Sequence, residues 1–196
     1  TFSRTFDVTV NAVNDTPTLA AIGNLTIDED AAQQTVNLAG ITAGGGDTQP
    51  LKVTATSSDT NLIADPTITY TTDNSNGSLE FEPLFDQFGT TTITVTVEDG
   101  GLDNNLTTAA DNSTVSRTFD VTVNPVNDTP TLDALPDITT DEDAPQTVNL
   151  TGITAGGGET QTLIVTATSA DTNLIPHPSV AYTNGMTVGT INYTPV

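Results

Sequence analysis

The chain has no cysteine and no tryptophan, one methionine, one histidine, and three basic residues against 25 acidic ones. Each shortage excludes something. Without cysteine there is no disulfide framework and no thiolate metal site, so stability must come from elsewhere. A formal charge of −22 excludes nucleic-acid binding through phosphate contacts, which needs basic groups, and it disfavours anionic membrane surfaces. No apolar run approaches the roughly 18 residues that span a bilayer. His177 stands alone between prolines, with no second imidazole for zinc. The triple glycine 44–46 is followed by no lysine and opens no helix, so it is not a phosphate loop. Catalysis would fall to carboxylates or hydroxyls, and no positioned acid–base pair is evident; the chain reads as a non-enzyme.

What is present is a repeat. Ser3-Arg-Thr-Phe-Asp-Val-Thr-Val-Asn11 recurs unchanged as Ser116–Asn124, an offset of 113 residues. Asp28-Glu29-Asp30 recurs as Asp141–Asp143 at that offset. Past a one-residue deletion near Pro145 the offset becomes 112, as from Thr42 to Thr154. A period of this length marks tandem copies of a small domain rather than turns of a solenoid. The repeat divides the chain into three parts. Residues 1–14 hold the last strand of a preceding repeat, 15–127 a complete repeat, and 128–196 a second repeat without counterparts of its last two strands. The chain therefore reads as a slice of a longer array. The competing expectation is a self-assembling filament in which residues 3–11 complete a neighbour's sheet by donor-strand pairing.

Apolar and polar residues alternate almost everywhere. Ile93, Val95 and Val97 share one face, as do Phe119, Val121 and Val123, and Leu51, Val53 and Ala55. This period of two, carried by Thr, Val and Ile, predicts half-buried strands. The strands fall at 24–27, 35–38, 51–57, 67–71, 77–82, 90–97 and 115–123, with a further one at 5–10. Turn residues punctuate them. Seven short strands in about 110 residues predict an all-β fold: an immunoglobulin-like Greek-key β-sandwich in each repeat.

Val-Asn-Asp-Thr-Pro stands at each repeat boundary, residues 13–17 and 126–130. Within the repeat, Gly77-Ser-Leu79 precedes Phe85-Asp86-Gln87, then Ile93-Thr-Val-Thr-Val-Glu-Asp99-Gly100. That order resembles the cadherin repeat in its bacterial, cadherin-like form, found in large extracellular surface and biofilm proteins. The resemblance implies Ca²⁺ at the junctions. At the second junction the implied ligands are Asn127 and Asp128 from the linker, Asp28, Glu29, Asp30 and Asp86 from the preceding repeat, and Glu159 from the following one. At the first they are Asn14, Asp15, Asp47 and Asp99. The pattern is thinner than in cadherins. Ala12 and Thr16, or Pro125 and Thr129, stand where further ligands belong, which implies one ion per junction. Asp-Glu-Asp and Asn-Asp-Thr-Pro also suit plain polar turns.

The resemblance implies a structural or adhesive module of an extracellular filament, surface or matrix protein, stiffened by calcium. Its partners would be neighbouring repeats of the same chain, other copies in a fibre, or cell-surface glycans. A polysaccharide-binding or spacer module of a secreted enzyme is the second expectation, though no tryptophan offers a sugar platform. A halophile's evenly acidic surface is the third.

Overall fold

The computed structural model describes residues 1–108 and 110–196. Among them there is no helix, and hence none long and apolar enough to cross a membrane. Two compact units are present, Thr1–Pro125 and Val126–Val196.

The first unit contains β1 (Leu25–Asp28), β2 (Gln34–Ala39), β3 (Leu51–Ser57), β4 (Thr67–Thr69), β5 (Asn76–Phe81), β6 (Gly89–Asp99) and β7 (Thr114–Asn124). They form two sheets, ordered β1-β7-β6-β3 and β2-β5-β4. All pairings are antiparallel except β1 with β7, which run parallel from Leu25–Val121 to Asp28–Asn124. This strand order is that of an immunoglobulin-like Greek-key sandwich. The alternation decides which face is buried. Ile93, Val95 and Val97 of β6, with Phe119, Val121 and Val123 of β7, meet Val36, Leu38, Leu79 and Phe81 of the other sheet in one core. The outward residues of β6 are threonines and Glu98, and those of β7 are Thr114, Ser116, Thr118, Asp120, Thr122 and Asn124. Thr96 and Ser116 share a hydrogen bond at 2.8 Å, and Thr92 donates to Asp120 at 2.8 Å. Lys52 and Glu98, opposite one another on β3 and β6, form an ion pair at 3.9 Å.

β3 has the expected ends, and the other strands shift by one or two residues at an end; β4 and residues 5–10 fall short of expectation. β4 stops at Thr69 instead of running to residue 71, because the chain turns there: Asn74 N donates to Thr71 O at 3.1 Å, and Asp73 takes a left-handed φ of 69°. Residues 5–10 were expected as a strand but form none, and Phe6, Val8 and Val10 are 86%, 72% and 88% exposed. The same nine residues make β7 when they lie between β1 and β6. An isolated strand has no hydrogen-bonding neighbours to offset the entropy of its ordering.

The second unit holds β8 (Gln146–Leu150), β9 (Ser179–Tyr182) and β10 (Gly189–Tyr193), ordered β8-β10-β9. This sheet repeats β2-β5-β4, with Val148 opposite Ile191 as Val36 is opposite Leu79. Its other sheet is not formed. Residues 163–169 repeat the sequence of β3 apart from Ile164 in place of Lys52, and residues 138–141 correspond to β1; neither is a strand. In the first unit these sequences pair onto β6 and β7, which residues 126–196 do not repeat. Ile164 is 84% exposed.

Candidate cation site at the linker end of each unit

The linker of the first unit is tied down by its asparagine. Asn14 Nδ2 donates to Asp99 Oδ1 at 3.2 Å, to Asp111 O at 2.8 Å and to Ser113 Oγ at 3.1 Å. Its Oδ1 accepts from Gln49 Nε2 at 2.6 Å. One side chain thus joins the linker to the β2–β3 loop, to the end of β6 and to the start of β7. Asp15 N donates to Asp47 Oδ2 at 3.3 Å, and Gln49 Nε2 lies 3.4 Å from the same oxygen. The four residues implied for the first junction, Asn14, Asp15, Asp47 and Asp99, therefore form one hydrogen-bonded group. Gln49, Asp111 and Ser113 belong to it as well. Gln49 carried a usable signal, because Gln161 stands 112 residues later in the same Thr-Gln context. Asp111 and Ser113 sit in a loop without a motif.

Asp99 is wholly buried at the carboxyl end of β6. Its Oδ1 also accepts from Gly101 N at 3.0 Å and Ser113 N at 2.9 Å, whereas its Oδ2 is buried without a hydrogen-bond partner. A carboxylate in that position needs compensation, since desolvating an unpaired charge costs several kcal/mol. The carboxylates of Asp15, Asp47 and Asp99 do not all come within 4.8 Å of one another. An ion held here would thus draw on amide and carbonyl oxygens too, the mixed oxygen set that suits Ca²⁺.

The glycine loop explains itself at this site. Gly44, Gly45 and Gly46 all have positive φ, and Asp47 N closes the turn on Gly44 O at 2.8 Å. A Cβ on Gly45 would overlap the Asp15 carboxylate, and one on Gly44 would overlap the carbonyl oxygen of Thr16. Nothing lies within 4 Å of a Cβ on Gly46. Both Gly45→Ala and Gly46→Ala carry the left-handed backbone cost of ~1–2 kcal/mol. Only Gly45→Ala also displaces Asp15, so it should show the larger drop in melting temperature. Equal drops would mean that the loop does not hold the linker.

At the opposite end of this unit, Asp30 and Asp86 both adopt left-handed backbone, with φ of 59° and 56°. Asp86 N donates to Asp30 Oδ1 at 3.3 Å. Asp28 Oδ1 accepts from Asn124 Nδ2 at 3.3 Å, and Glu29 N donates to Asn124 O at 2.8 Å. Asp30 and Asp86 are thus neighbours, while Asp28 and Glu29 are anchored to the end of β7.

The second unit repeats part of the linker arrangement. Gln161 Nε2 donates to Asn127 Oδ1 at 2.8 Å, as Gln49 does to Asn14, and Asp128 N donates to Glu159 Oε2 at 3.0 Å, as Asp15 N does to Asp47. Asn127 Nδ2 turns instead to Asp128 O at 3.0 Å. A counterpart of Asp99 does not occur within residues 126–196.

No protein-family model and no curated protein matches the chain. Among solved structures, it is similar to titin domains Z1Z2 in complex with telethonin, at 10% identity over 94% of this chain and 84% of that one, with a TM-score of 0.35. Surface layer protein SbsC, domains 1–6, aligns at 17% identity over 94% of this chain and 22% of that one, with a TM-score of 0.36. The tandem Ig repeats of Dlar align at 11% identity over 91% and 82%, with a TM-score of 0.33. The immunoglobulin-like assignment stands on the strand order described above rather than on these likenesses.

Proposed function

We propose that the chain is a run of cadherin-like structural repeats from a large extracellular surface or matrix protein, with Ca²⁺ bound where each linker meets its unit. The observation that carries this reading is Asp99, a wholly buried carboxylate whose Oδ2 has no partner, hydrogen-bonded through Oδ1 to the linker side chain Asn14. Asp15 and Asp47 add carboxylate oxygens and Asp111 a backbone carbonyl. The net charge of −22 draws cations toward any such point. When bound, the ion supplies charge neutralisation. The residues do the rest: Asn14 and Asp15 fasten the linker to loops on either side, so the linker moves with its unit. The module's task is mechanical, to hold spacing and direction along an array.

Extracellular calcium modules bind at roughly 0.1–1 mM. At about tenfold excess over such a Kd, one site contributes on the order of 1.4 kcal/mol, or about 5 °C in melting temperature. Calorimetry at fixed ionic strength, with calcium and with chelator, should show that gap. Asp99→Asn keeps the bonds to Oδ1 while neutralising the side chain, and it should close the gap. Superimposable wild-type curves would remove calcium from the account.

A further inference from the structure

The turn that begins at Asp59 recurs at Asp171 with the same bonds. Ser57 Oγ donates to Asp59 O at 3.1 Å, and Ser169 Oγ to Asp171 O at 3.0 Å. Asn61 N and Asn173 N donate to the aspartate Oδ1 at 3.0 and 2.9 Å. Ile63 N and Ile175 N return to the aspartate carbonyl at 3.1 and 2.9 Å. Each loop is then closed from its far side, and there the two copies differ in chemistry. Ser57 N donates to Asp65 Oδ1 at 2.8 Å; Ser169 N, 112 residues later, donates to His177 Nδ1 at 3.2 Å. An imidazole stands where the first unit has a carboxylate, and it accepts the same bond.

The two acceptors respond differently to a proton. Nδ1 accepts only through the ring's lone pair, so the bond selects the neutral tautomer with its hydrogen on Nε2. Protonation puts an N–H on Nδ1, and two donors then face each other. A carboxyl group keeps acceptor capacity in either state, so the Asp65 clasp survives the same change. His177 is exposed and exchanges protons freely with solvent. Around it, Asp171 belongs to the turn and Asp137 to the segment whose Leu135, Pro136 and Ile138 share a groove with Ser169 and Pro178; Tyr193, at the end of β10, lines that groove too. Among the described residues, no carboxylate comes within 4.0 Å of an imidazole nitrogen. No ion pair therefore holds the ring in its charged state.

We propose that His177 is a proton-operated latch on the 169–177 loop of the second unit. The latch is closed while the ring is neutral. It opens as the ring takes up a proton, over the range in which imidazoles change charge, between about pH 8 and about pH 5. The direction follows from the bond: only the neutral ring accepts it, so acidification releases Ser169 from the segment leading into β9. The first unit's loop stays shut through the same change. Mild acid thus loosens one repeat at a place where its neighbour remains closed. The latch uses no residue of the calcium reading and stands or falls apart from it.

The test is an NMR titration of the full, isotope-labelled chain in chelator, from about pH 8 to about pH 5. The Ser169 amide should shift with the same midpoint as the His177 ring. The coupling between the two nitrogens across the bond should be present at the alkaline end and absent at the acid end. Corrected for the intrinsic pH dependence of exchange, protection of the Ser169 amide should fall about threefold to tenfold, the change that one hydrogen bond between neutral groups supports. Protection of Ser57 should hold. His177→Asp, which copies the first unit, should keep Ser169 protected and remove the pH response, and Asp65→His should confer that response on Ser57. A Ser169 amide indifferent to the ring's titration, or a coupling that persists in acid, would overturn the latch. So would a His177→Asp variant with the wild-type pH response, which would assign the change to another group.

Discussion

Phe119→Ala should lower the stability of the first unit by about 3–5 kcal/mol, the usual range for deleting a buried phenyl ring. Phe119 is the largest of the fully enclosed side chains, on β7 opposite Ile93 of β6. β7 is an interior strand of its sheet, flanked by β1 and β6, so the lining of the resulting cavity has little freedom to collapse. A domain of this size has only about 5–15 kcal/mol in total, and the melting temperature should fall by roughly 15–25 °C. Phe85→Ala is the control. Phe85 is 75% exposed, and its loss should fall within about 0.5 kcal/mol. Comparable effects for the two would mean that the sandwich core is not where the strand pairing puts it.

The second large effect belongs to Asp99→Ala. Gly101 N and Ser113 N both donate to its Oδ1, and the methyl group of alanine offers them nothing. Each unsatisfied donor costs about 1–3 kcal/mol, and Asn14 loses one of its acceptors as well. We expect a loss of ~2–4 kcal/mol, with faster hydrogen exchange at Gly101 and Ser113. Asp99→Asn retains the acceptor and should recover most of that stability in chelator. If alanine and asparagine destabilise equally, the carboxylate oxygen is not what organises the loop between β6 and β7.

The strand sequence of the first unit was legible because each strand alternates strictly and has neighbours to pair with. Residues 51–57 became β3 with the expected ends. The limits of local sequence show in three places where it repeats and the structure does not. Ser3–Asn11 and Ser116–Asn124 are the same nine residues, but only the second set is a strand. Residues 163–169 differ from β3 in one residue, and they are irregular. Residues 138–141 correspond to β1 with the same result. In every case the missing ingredient is a hydrogen-bonding partner, and pairing is a property of the sheet rather than of the segment. The site was less legible. The carboxylates and the linker asparagine came only through the resemblance to the cadherin repeat, and the structure joins Asn14, Asp15, Asp47 and Asp99 by hydrogen bonds. The amide of Gln49 and the backbone of Asp111 enter through loop geometry, which composition does not reveal.

The parallel pairing of β1 with β7 has a consequence for a chain under tension. β1 opens the sandwich and β7 closes it, so a pull on the two ends of the unit draws the start of β1 one way and the end of β7 the other. Because the strands run in the same direction, that load lies along them and is shared by all the bonds from Leu25–Val121 to Asp28–Asn124 at once. An antiparallel pair loaded from one end would open bond by bond, like a zip. This unit must instead slide two strands past each other, with Ile27, Val121 and Val123 gripped by the core, before it can lengthen. Resistance to stretching is thus set by four residue pairs at one edge of one sheet. A proline at Thr122, which would remove a backbone donor within that strand, is where such a module should first give way under force.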